Sequence, residues 1–552
     1  MPAATAYRRA PLVDPVYVPL TDAAVNADGL IKLLTGRVLK MVNVDNMSAL
    51  DSVLATKLGG YTQTPPVPDI EGAAAQLLSS PARFAETCRA AAMIASMNRD
   101  KDAMLRVLDA LRTFGQNMPQ MTEEQLFSIG ADMLRLTVDL YRRTGQPFLL
   151  DLLEELRSRL PDVSGVMHVF PFQTDFQPEN GVHSPQEQEY YDRMQRFATG
   201  KLTADVMSMS ALLSQYSGSG RDAAAPKAGL ASLMRYHGMP SGVFSADPYL
   251  AGRDPARAAE LPSVCAQAEA YFDALCATGD AAMADRQEML LVNVLTDLIE
   301  EGGVRTLSPT NRLADDDSCL VVEPTREEVS ALLRALYAVR RSVWLSRDDE
   351  TIAYMMPVSG GCVTRMNGVP VRLTAQVSGV FQKTVQIRVE CRQDVNFTLR
   401  LRVPGYADGA QVSLNGGKQQ AVPQGDVFSV KRTFRSGDLI TLTMNLSPRL
   451  ETGWRGSASV YVGAQLMALS LPDADAGWRY AILRSYPMTS VEDAGIPYAL
   501  LTACEAPEWR EKAGFILPPP QGVKPGAAYE LTLIPFAGAD GRIAAFPCVM
   551  ER

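Results

Sequence analysis

The feature that most constrains the fold is a change in the spacing of apolar residues near residue 350 of the 552-residue chain. Before it, segments such as DAMLRVLDALRTF (102–114) and REEVSALLRALYAVRRSVW (326–344) repeat apolar residues at steps of three and four, which is typical of amphipathic helices. After it, segments such as TVQIRVECR (384–392) and NFTLRLRVP (396–404) alternate apolar and polar residues, which is typical of strands. The sequence therefore predicts a helical part followed by a β part.

The helical part contains a weak internal repeat. Thr144-Gly145 closes one predicted helix and Thr278-Gly279 closes another, and acidic residues follow both pairs at the same offsets. Glycine is favoured just after a helix, so each pair marks the turn of a helical hairpin. Repeated hairpins over this length predict an (α/α)6 toroid, although a superhelical repeat array would show the same hairpins.

The β part is punctuated by Gly, Pro, Asn and Asp at intervals of about ten residues, which predicts an antiparallel β-sandwich. Asn415-Gly416 predicts a two-residue hairpin turn of type I′. Residues 458–471 and 529–538 also read as strands, and 472–528 as irregular structure. The predicted organisation is an α/α-toroid catalytic-type domain (1–350), a β-sandwich domain (351–460) and a C-terminal β-rich segment that completes the sandwich region (461–552).

Composition excludes several classes of partner. A net charge of −9 without a Lys/Arg-rich block argues against a nucleic-acid partner. No run of about 18 apolar residues predicts a membrane span, and the N-terminal segment lacks the apolar stretch of a secretory signal. Eight scattered cysteines fit a reducing compartment, so we predict a cytoplasmic protein. Only three histidines are present, which argues against a multi-histidine metal site. Nothing in the sequence fixes an oligomeric state.

Several motifs of the β part together resemble one family. The order and spacing of these motifs are similar to the C-terminal part of the β-L-arabinofuranosidase-like family, glycoside hydrolase family 127 and its relatives: LRVPGYA (401–407), VSLNG (412–416), FRSGD (434–438), VGAQL (462–466), ELTLIPF (530–536) and AFP (545–547). Tyr406 and Phe434 stand where the family usually has tryptophan. The resemblance implies an (α/α)6 barrel followed by β-sandwich domains, and a carbohydrate substrate whose glycosidic bond is cleaved at the barrel mouth. It also implies a zinc ion held by one glutamate and three cysteines, one of them the nucleophile, with a separate glutamate as acid/base.

The helical part resembles the family more loosely. GVFSADPYLAG (242–252) looks like the segment that carries the family's Asp-Glu pair, but here Asp247 is followed by Pro248 in place of the glutamate. Asp247 is therefore our candidate for the acid/base position. The alternative is a turn residue in front of a proline.

The metal positions allow two alignments of ELPSVCAQAE (260–269). One matches Cys265 and Glu269 to the family's cysteine and the glutamate after it, and then Ser263 replaces the metal-binding glutamate. The other retains Glu260 and replaces the cysteine with proline, so neither alignment retains both ligands. Of the family's later cysteine pair, at most Cys319 remains, and a tighter match of the helices places Pro324 and Thr325 at the two positions instead. The candidates are thus Glu260 and Cys319 as catalytic groups, and Glu260, Cys265 and Cys319 as ligands of a possible zinc ion; unpaired cysteines are more often buried apolar residues.

The three histidines are candidates for substrate binding. His168 and His183 lie in or beside a polar, aromatic-rich segment that could line a sugar site, and His237 precedes the segment with Asp247. The alternative for His237 is a cation at the end of a helix. The function predicted is a glycoside hydrolase with altered or lost catalytic residues. The alternatives are a non-catalytic glycan-binding protein that retains the fold, and a lyase or isomerase that would require a Tyr/His pair in the cleft.

Overall fold

A computed structural model describes residues 8–21, 24–42, 47–60, 63–173, 198–312, 320–471, 480–484, 486–505, 527–539 and 541–549. Most described residues before 342 lie in helices: α1 (Leu30–Met41), α2 (Ala49–Lys57), α3 (Ile70–Ala75), α4 (Pro81–Asn98), α5 (Lys101–Asn117), α6 (Glu123–Thr144), α7 (Phe148–Arg159), α8 (Val163–His168), α9 (Gly200–Ser217), α10 (Gly220–His237), α11 (Leu261–Thr278), α12 (Ala281–Met289), α13 (Thr296–Leu298) and α14 (Arg326–Arg341). A π-helical turn, Leu290–Leu295, joins α12 to α13. None of the helices in these ranges has the length and apolar character needed to cross a bilayer.

Six of the helices contact one another in a closed cycle, in the order α2, α4, α6, α9, α11, α14 and back to α2. Four helices of the cycle are each followed in the chain by a helix that packs against them: α5 contacts α4, α7 contacts α6, α10 contacts α9, and α12 contacts α11. Each successive pair is therefore a hairpin in which one helix belongs to the cycle.

Local sequence explains where these helices begin and end. Thr122 and Thr325 each form a capping box with the residue three positions later, which starts α6 and α14. Gly145 and Gly279 end α6 and α11 with φ angles of 69° and 71°, a conformation that glycine adopts without strain. The hairpin turns predicted from the two Thr-Gly pairs are confirmed.

The strands fall mainly in the second half: β1 (Val18–Pro19), β2 (Val25–Ala27), β3 (Ala258–Glu260), β4 (Ile299–Glu300), β5 (Gly303–Arg305), β6 (Leu307–Pro309), β7 (Val321–Val322), β8 (Trp344–Asp348), β9 (Thr351–Tyr354), β10 (Gly360–Met366), β11 (Val369–Ser378), β12 (Gln382–Cys391), β13 (Val395–Val403), β14 (Ala410–Leu414), β15 (Gln420–Val422), β16 (Asp426–Phe434), β17 (Leu439–Asn445), β18 (Arg449–Thr452), β19 (Ala458–Val462), β20 (Gln465–Leu471), β21 (Tyr480–Leu483), β22 (Thr489–Asp493), β23 (Ile496–Glu505), β24 (Ala528–Pro535), β25 (Gly541–Ile543) and β26 (Cys548–Val549). The prediction of a helical part followed by a β part is confirmed at this level.

Two sheets follow α14. One has the strand order β1-β8-β9-β13-β16 and the other β15-β14-β17-β12-β11-β10-β2. Alternate residues of both sheets, such as Leu399 and Leu401 of β13 and Val385 and Ile387 of β12, are buried in one continuous apolar core. Asn415 and Gly416 have φ angles of 50° and 69°, so the predicted hairpin turn between β14 and β15 is confirmed.

The N-terminal segment contributes a strand to each of these two sheets. β1 pairs antiparallel with β8, where Val18 lies opposite Ser346. β2 pairs antiparallel with β10, where Asn26 lies opposite Gly361. The chain thus contributes edge strands to the β part before it forms any of the helices.

A third, C-terminal sheet has the strand order β18-β19-β20-β24-β23-β21-β26 and encloses a separate apolar cluster. The prediction that 472–528 is irregular was wrong for its described residues, because β21, β22 and β23 lie there. β22 is mostly polar, with Val491 as its apolar residue, and β23 has apolar residues at adjacent positions, so neither strand shows the alternation that predicts a strand. The predicted helix 326–344 also extends too far, since α14 ends at Arg341 and Trp344 begins β8.

A buried ion pair joins the C-terminal sheet to the helical part. Arg542, whose side chain is 0% exposed, donates from Nη1 to Asp297 Oδ1 at 2.6 Å and from Nη2 to Asp297 Oδ2 at 2.8 Å. It also donates to the carbonyl of Pro309 at 2.8 Å and stacks on the ring of Phe536. Ser308 and Arg312 approach the same carboxylate, so Asp297 is surrounded by donors.

Candidate active site

Asp247 and Glu260 are brought together by backbone pairing in front of α11. The N–H of Glu260 donates to the carbonyl of Ala246 at 2.8 Å, and the N–H of Ala246 donates to the carbonyl of Ala258 at 2.9 Å. Glu260 is the last residue of β3 and the N-cap of α11. Two carboxylates separated by thirteen positions in the sequence therefore lie close enough to affect each other's charge.

Asp247 is held by a cation. The Nη2 of Arg257 donates to Asp247 Oδ1 at 2.7 Å. Burial raises the pKa of the Asp247 carboxyl above its usual value, and the Arg257 guanidinium and the N–H of Ala258 oppose that rise. Because Arg257 favours the charged form, Asp247 is the member of the pair suited to remain ionised.

Among the described residues, no cation is paired with Glu260. Burial, and then the negative charge of Asp247, raise the pKa of the Glu260 carboxyl to about 7. The side chain does not cap α11, and Pro262 removes one N–H from the first turn of that helix, which weakens the stabilisation a helix N-terminus gives to a carboxylate. The pair thus combines one carboxyl that can hold a proton near neutral pH with one whose charged form is favoured by a neighbouring guanidinium, as an acid-assisted reaction requires.

A second polar cluster lies among the six helices of the closed cycle. Asp132 of α6 and Glu269 of α11 accept from Arg89 of α4 at 2.7 and 2.9 Å, and Arg334 of α14 donates to both carboxylates. Arg135 adds a bond of 2.6 Å to Asp273. Burial would raise the pKa of Asp132, but Arg334, Arg89 and Arg135 outweigh it and hold the pKa below its usual value.

This cluster balances three guanidinium groups against three carboxylates and ties four inner helices together. Isolated buried charges would be costly, so each depends on its partners. Sequence reasoning named Glu269 only as a possible alignment landmark and missed the other members. The charged residues that interrupt apolar helix faces, such as Arg89 within ETCRAAAM, were the available signal.

The two described histidines make their hydrogen bonds to backbone groups. The Nε2 of buried His237 lies 2.8 Å from the carbonyl of Phe172, and its Nδ1 accepts from the N–H of Gly252 at 3.0 Å. Both ring nitrogens are therefore occupied by backbone groups. His168 is exposed at the end of α8 and contacts the carbonyl of Arg221 at 2.8 Å. His183 lies outside the described residues.

The described residues do not fit a zinc site of the kind the resemblance implies. Cys265 is buried on α11, and burial, followed by the charge of Glu269, raises the pKa of its thiol far above the usual value, which opposes the thiolate that zinc binds. Within the described ranges no three His, Cys, Asp or Glu side chains converge closely enough to hold a metal ion. Cys319 lies outside those ranges, so its predicted roles as nucleophile and ligand stay predictions.

Comparison with known proteins identifies part of the chain. Residues 356–446, from just after β9 to just after β17, match the family model "Beta-L-arabinofuranosidase, GH127 middle domain". No curated protein sequence matches the chain.

Solved structures match almost the whole length. A glycoside hydrolase superposes with a TM-score of 0.70 at 13% identity, covering 97% of this chain and 98% of that one. A GH127 β-arabinofuranosidase gives 0.59 at 13% identity, with 97% and 98% covered. A GH127 β-L-arabinofuranosidase from Geobacillus stearothermophilus T6 gives 0.57 at 13% identity, with 95% and 100% covered. The chain therefore carries the GH127 middle domain on a fold shared with GH127 glycoside hydrolases.

Proposed function

We propose that this protein is a glycoside hydrolase in which Glu260 and Asp247 form the acid and carboxylate pair. The GH127 middle domain and the shared fold support the class of reaction. The observation that carries the assignment of residues is the asymmetry of the pair: the pKa of Glu260 is raised to about 7, whereas Asp247 is held by Arg257. The substrate is a glycan, and L-arabinofuranosides are the first candidates.

The closed cycle of α2, α4, α6, α9, α11 and α14 supports an (α/α)6 toroid as the framework of the site. On this view Glu260 lies at the N-terminal end of one inner helix, and the ion-pair cluster around Arg334 fills the middle of the ring. We retain the proposed domains 1–350, 351–460 and 461–552, with strands β1 and β2 added to the sandwich.

Glu260 begins the reaction as a carboxylic acid. It donates its proton to the glycosidic oxygen while the bond from that oxygen to the anomeric carbon breaks, and the leaving sugar departs as an alcohol. Asp247 remains a carboxylate and stabilises the positive charge that develops on the sugar ring. Water then adds to the anomeric carbon and returns a proton to Glu260, which restores the starting state. No step in this sequence passes through a metal.

The experiment compares Glu260→Gln with wild-type protein on two aryl glycosides of the same sugar. A glutamine cannot donate the proton, so we expect kcat/KM to fall by about 10²- to 10⁴-fold for a phenyl glycoside. The loss should be much smaller for a nitrophenyl glycoside, whose leaving group needs little protonation. Glu124→Gln, an exposed site on α6, is the matched control.

The pH profile gives an independent measure. Since the acid must be protonated, kcat/KM should fall as the pH rises through about 7 in the wild type. Glu260→Gln should lack this limb. Equal losses on both leaving groups, or an unchanged pH limb in Glu260→Gln, would show that another group supplies the proton.

The second candidate function is a non-catalytic glycan-binding protein on the same fold. It is favoured by Pro248, which stands where the resemblance expects the acid/base glutamate, and by the described ligand set that does not fit zinc. Aryl glycosides tested with and without added zinc separate the two: binding of the intact sugar without turnover in either condition would support this candidate.

A further inference from the structure

A cavity of about 220 Å³ lies where the helical part meets the second and third sheets, and it plays no part in the proposed reaction. Glu288 and Val292 line it from α12 and the π-helical turn, Val380 from the turn before β12 and Lys383 from β12, and Gln465 and Ile496 from the C-terminal sheet. At about 30 Å³ for each water, its volume equals about seven waters. That is enough for one sugar ring.

One end of the cavity carries an incompletely bonded ion pair. Glu288 is 4% exposed, and its Oε2 accepts from Arg402 and from the hydroxyl of Tyr406. Its Oε1 lies 3.7 Å from the Nζ of Lys383, which is longer than a hydrogen bond. Neither Oε1 nor Nζ has a hydrogen-bond partner in the part of the chain that the structure describes. A strong acceptor and a strong donor therefore stand side by side at the cavity wall.

The ion-paired charges at this end of the cavity balance one another. Arg402 lies 3.3 Å from Asp285 and also contacts Glu288, and Lys383 adds the second positive charge. Two cations thus face two carboxylates, and an ionic ligand would leave an uncompensated charge in a largely buried place. A neutral ligand with adjacent hydroxyl groups fits, because one hydroxyl can donate to Glu288 Oε1 while another accepts from Lys383.

The remaining wall is apolar. Val292, Val380 and Ile496 offer surface on which the C–H face of a sugar ring can pack, and Gln465 adds an amide that can both donate and accept. We propose that this cavity binds one neutral, polyhydroxylated molecule of monosaccharide size, separately from the site of Asp247 and Glu260. Because the wall is shared by the helical part and both β regions, the ligand would stabilise their arrangement.

The test measures binding of free L-arabinose, D-galactose and glycerol to the full-length protein by calorimetry and by the shift in Tm. Two variants perturb the cavity: Lys383→Met removes the donor, and Val292→Phe reduces the volume. Lys431→Met, an exposed lysine of β16, is the matched control. We expect saturable sugar binding that Lys383→Met weakens by about tenfold or more, since a hydrogen bond to a charged group is lost.

Glu260→Gln separates this site from the proposed active site. Sugar binding that survives in Glu260→Gln and in Lys431→Met, but is weakened in both cavity variants, supports the proposal. This binding result supports the proposal even if the protein proves inactive on every glycoside. The proposal is overturned if no saturable binding occurs, if glycerol binds as well as the sugars, or if Glu260→Gln abolishes binding and the cavity variants do not.

Discussion

Replacing Arg542 with methionine tests the joint between the C-terminal sheet and the helical part. Arg542 makes two short hydrogen bonds to Asp297 and one to the carbonyl of Pro309, and both side chains are almost fully buried. Hydrogen bonds to charged groups are each worth about 1.5–3 kcal/mol, so complete loss of the three would cost more than most single substitutions do.

Two features of the site reduce that cost. Arg312 stays 3.5 Å from Asp297, and Ser308 still donates to it at 2.6 Å, so the carboxylate keeps part of its compensation. Methionine retains apolar contact with Phe536, on which the arginine stacks. We therefore expect Arg542→Met to lower the free energy of unfolding by about 3–5 kcal/mol, the range for breaking one side of a buried pair.

Urea denaturation followed by circular dichroism measures this loss, and limited proteolysis shows whether the C-terminal sheet loosens first. The double variant Asp297→Asn, Arg542→Met should be little worse than Arg542→Met alone, because the asparagine leaves no unpaired buried carboxylate. The control is Arg435→Met, which breaks the exposed pair with Asp394 at 3.2 Å and should cost less than about 1 kcal/mol. Equal losses in the free energy of unfolding for Arg542→Met and Arg435→Met would contradict this prediction.

Three further predictions follow from other parts of the molecule. Gly200→Ala would place a Cβ 2.2 Å from Ser263 Oγ and 2.3 Å from Ala246 Cβ. We expect the free energy of unfolding, measured by urea denaturation, to fall by about 1–3 kcal/mol. We also expect a lower kcat, because Ala246 positions Asp247. An unchanged stability would contradict this, because the backbone around Gly200 would then shift without cost. Gly360 has a φ of 142°, and the Cβ of an alanine there would lie 2.2 Å from the carbonyl of Asn26. Gly360→Ala should therefore release β2 and expose the N-terminal segment to protease. No change in cleavage would contradict this. Because the pKa of Glu260 is raised on folding, the wild type should lose stability relative to Glu260→Gln as the pH rises from about 4.5 to about 7, in paired Tm measurements. Parallel curves would show that the pKa is not raised.

The sequence predicts best what depends on neighbouring residues. The segments with apolar residues at steps of three and four form α5, α6 and α14. The alternating segments form β12 and β13, and the ends of these two strands lie within one or two residues of the predicted ends. Asn415-Gly416 and the two Thr-Gly pairs adopt the turns expected of them, because their backbone angles depend mainly on their own side chains.

Relations between distant residues were not readable in one sequence. Arg89 meets Glu269 across 180 positions, and periodicity can assign each to a helix face but cannot name its partner. Arg257 was missed beside Asp247 because the pairing depends on the path of the loop between them. Asp247 and Glu260 were named through the family resemblance, whereas the difference between them depends on burial in the fold and on the Arg257 guanidinium beside Asp247.

The strands β1 and β2 have a consequence for how the protein is made. Val18 and Asn26 leave the ribosome before the helical part does, yet their partners in β8 and β10 appear only after the whole helical part has been translated. During that interval the first strands have no sheet to join, and the two sheets later emerge with bare edges that attract other chains. A fragment cut to residues 356–446 would keep such edges permanently. Supplying the segment that contains β1 and β2 as a separate peptide should therefore improve the solubility of any excised sandwich that includes β8 to β17.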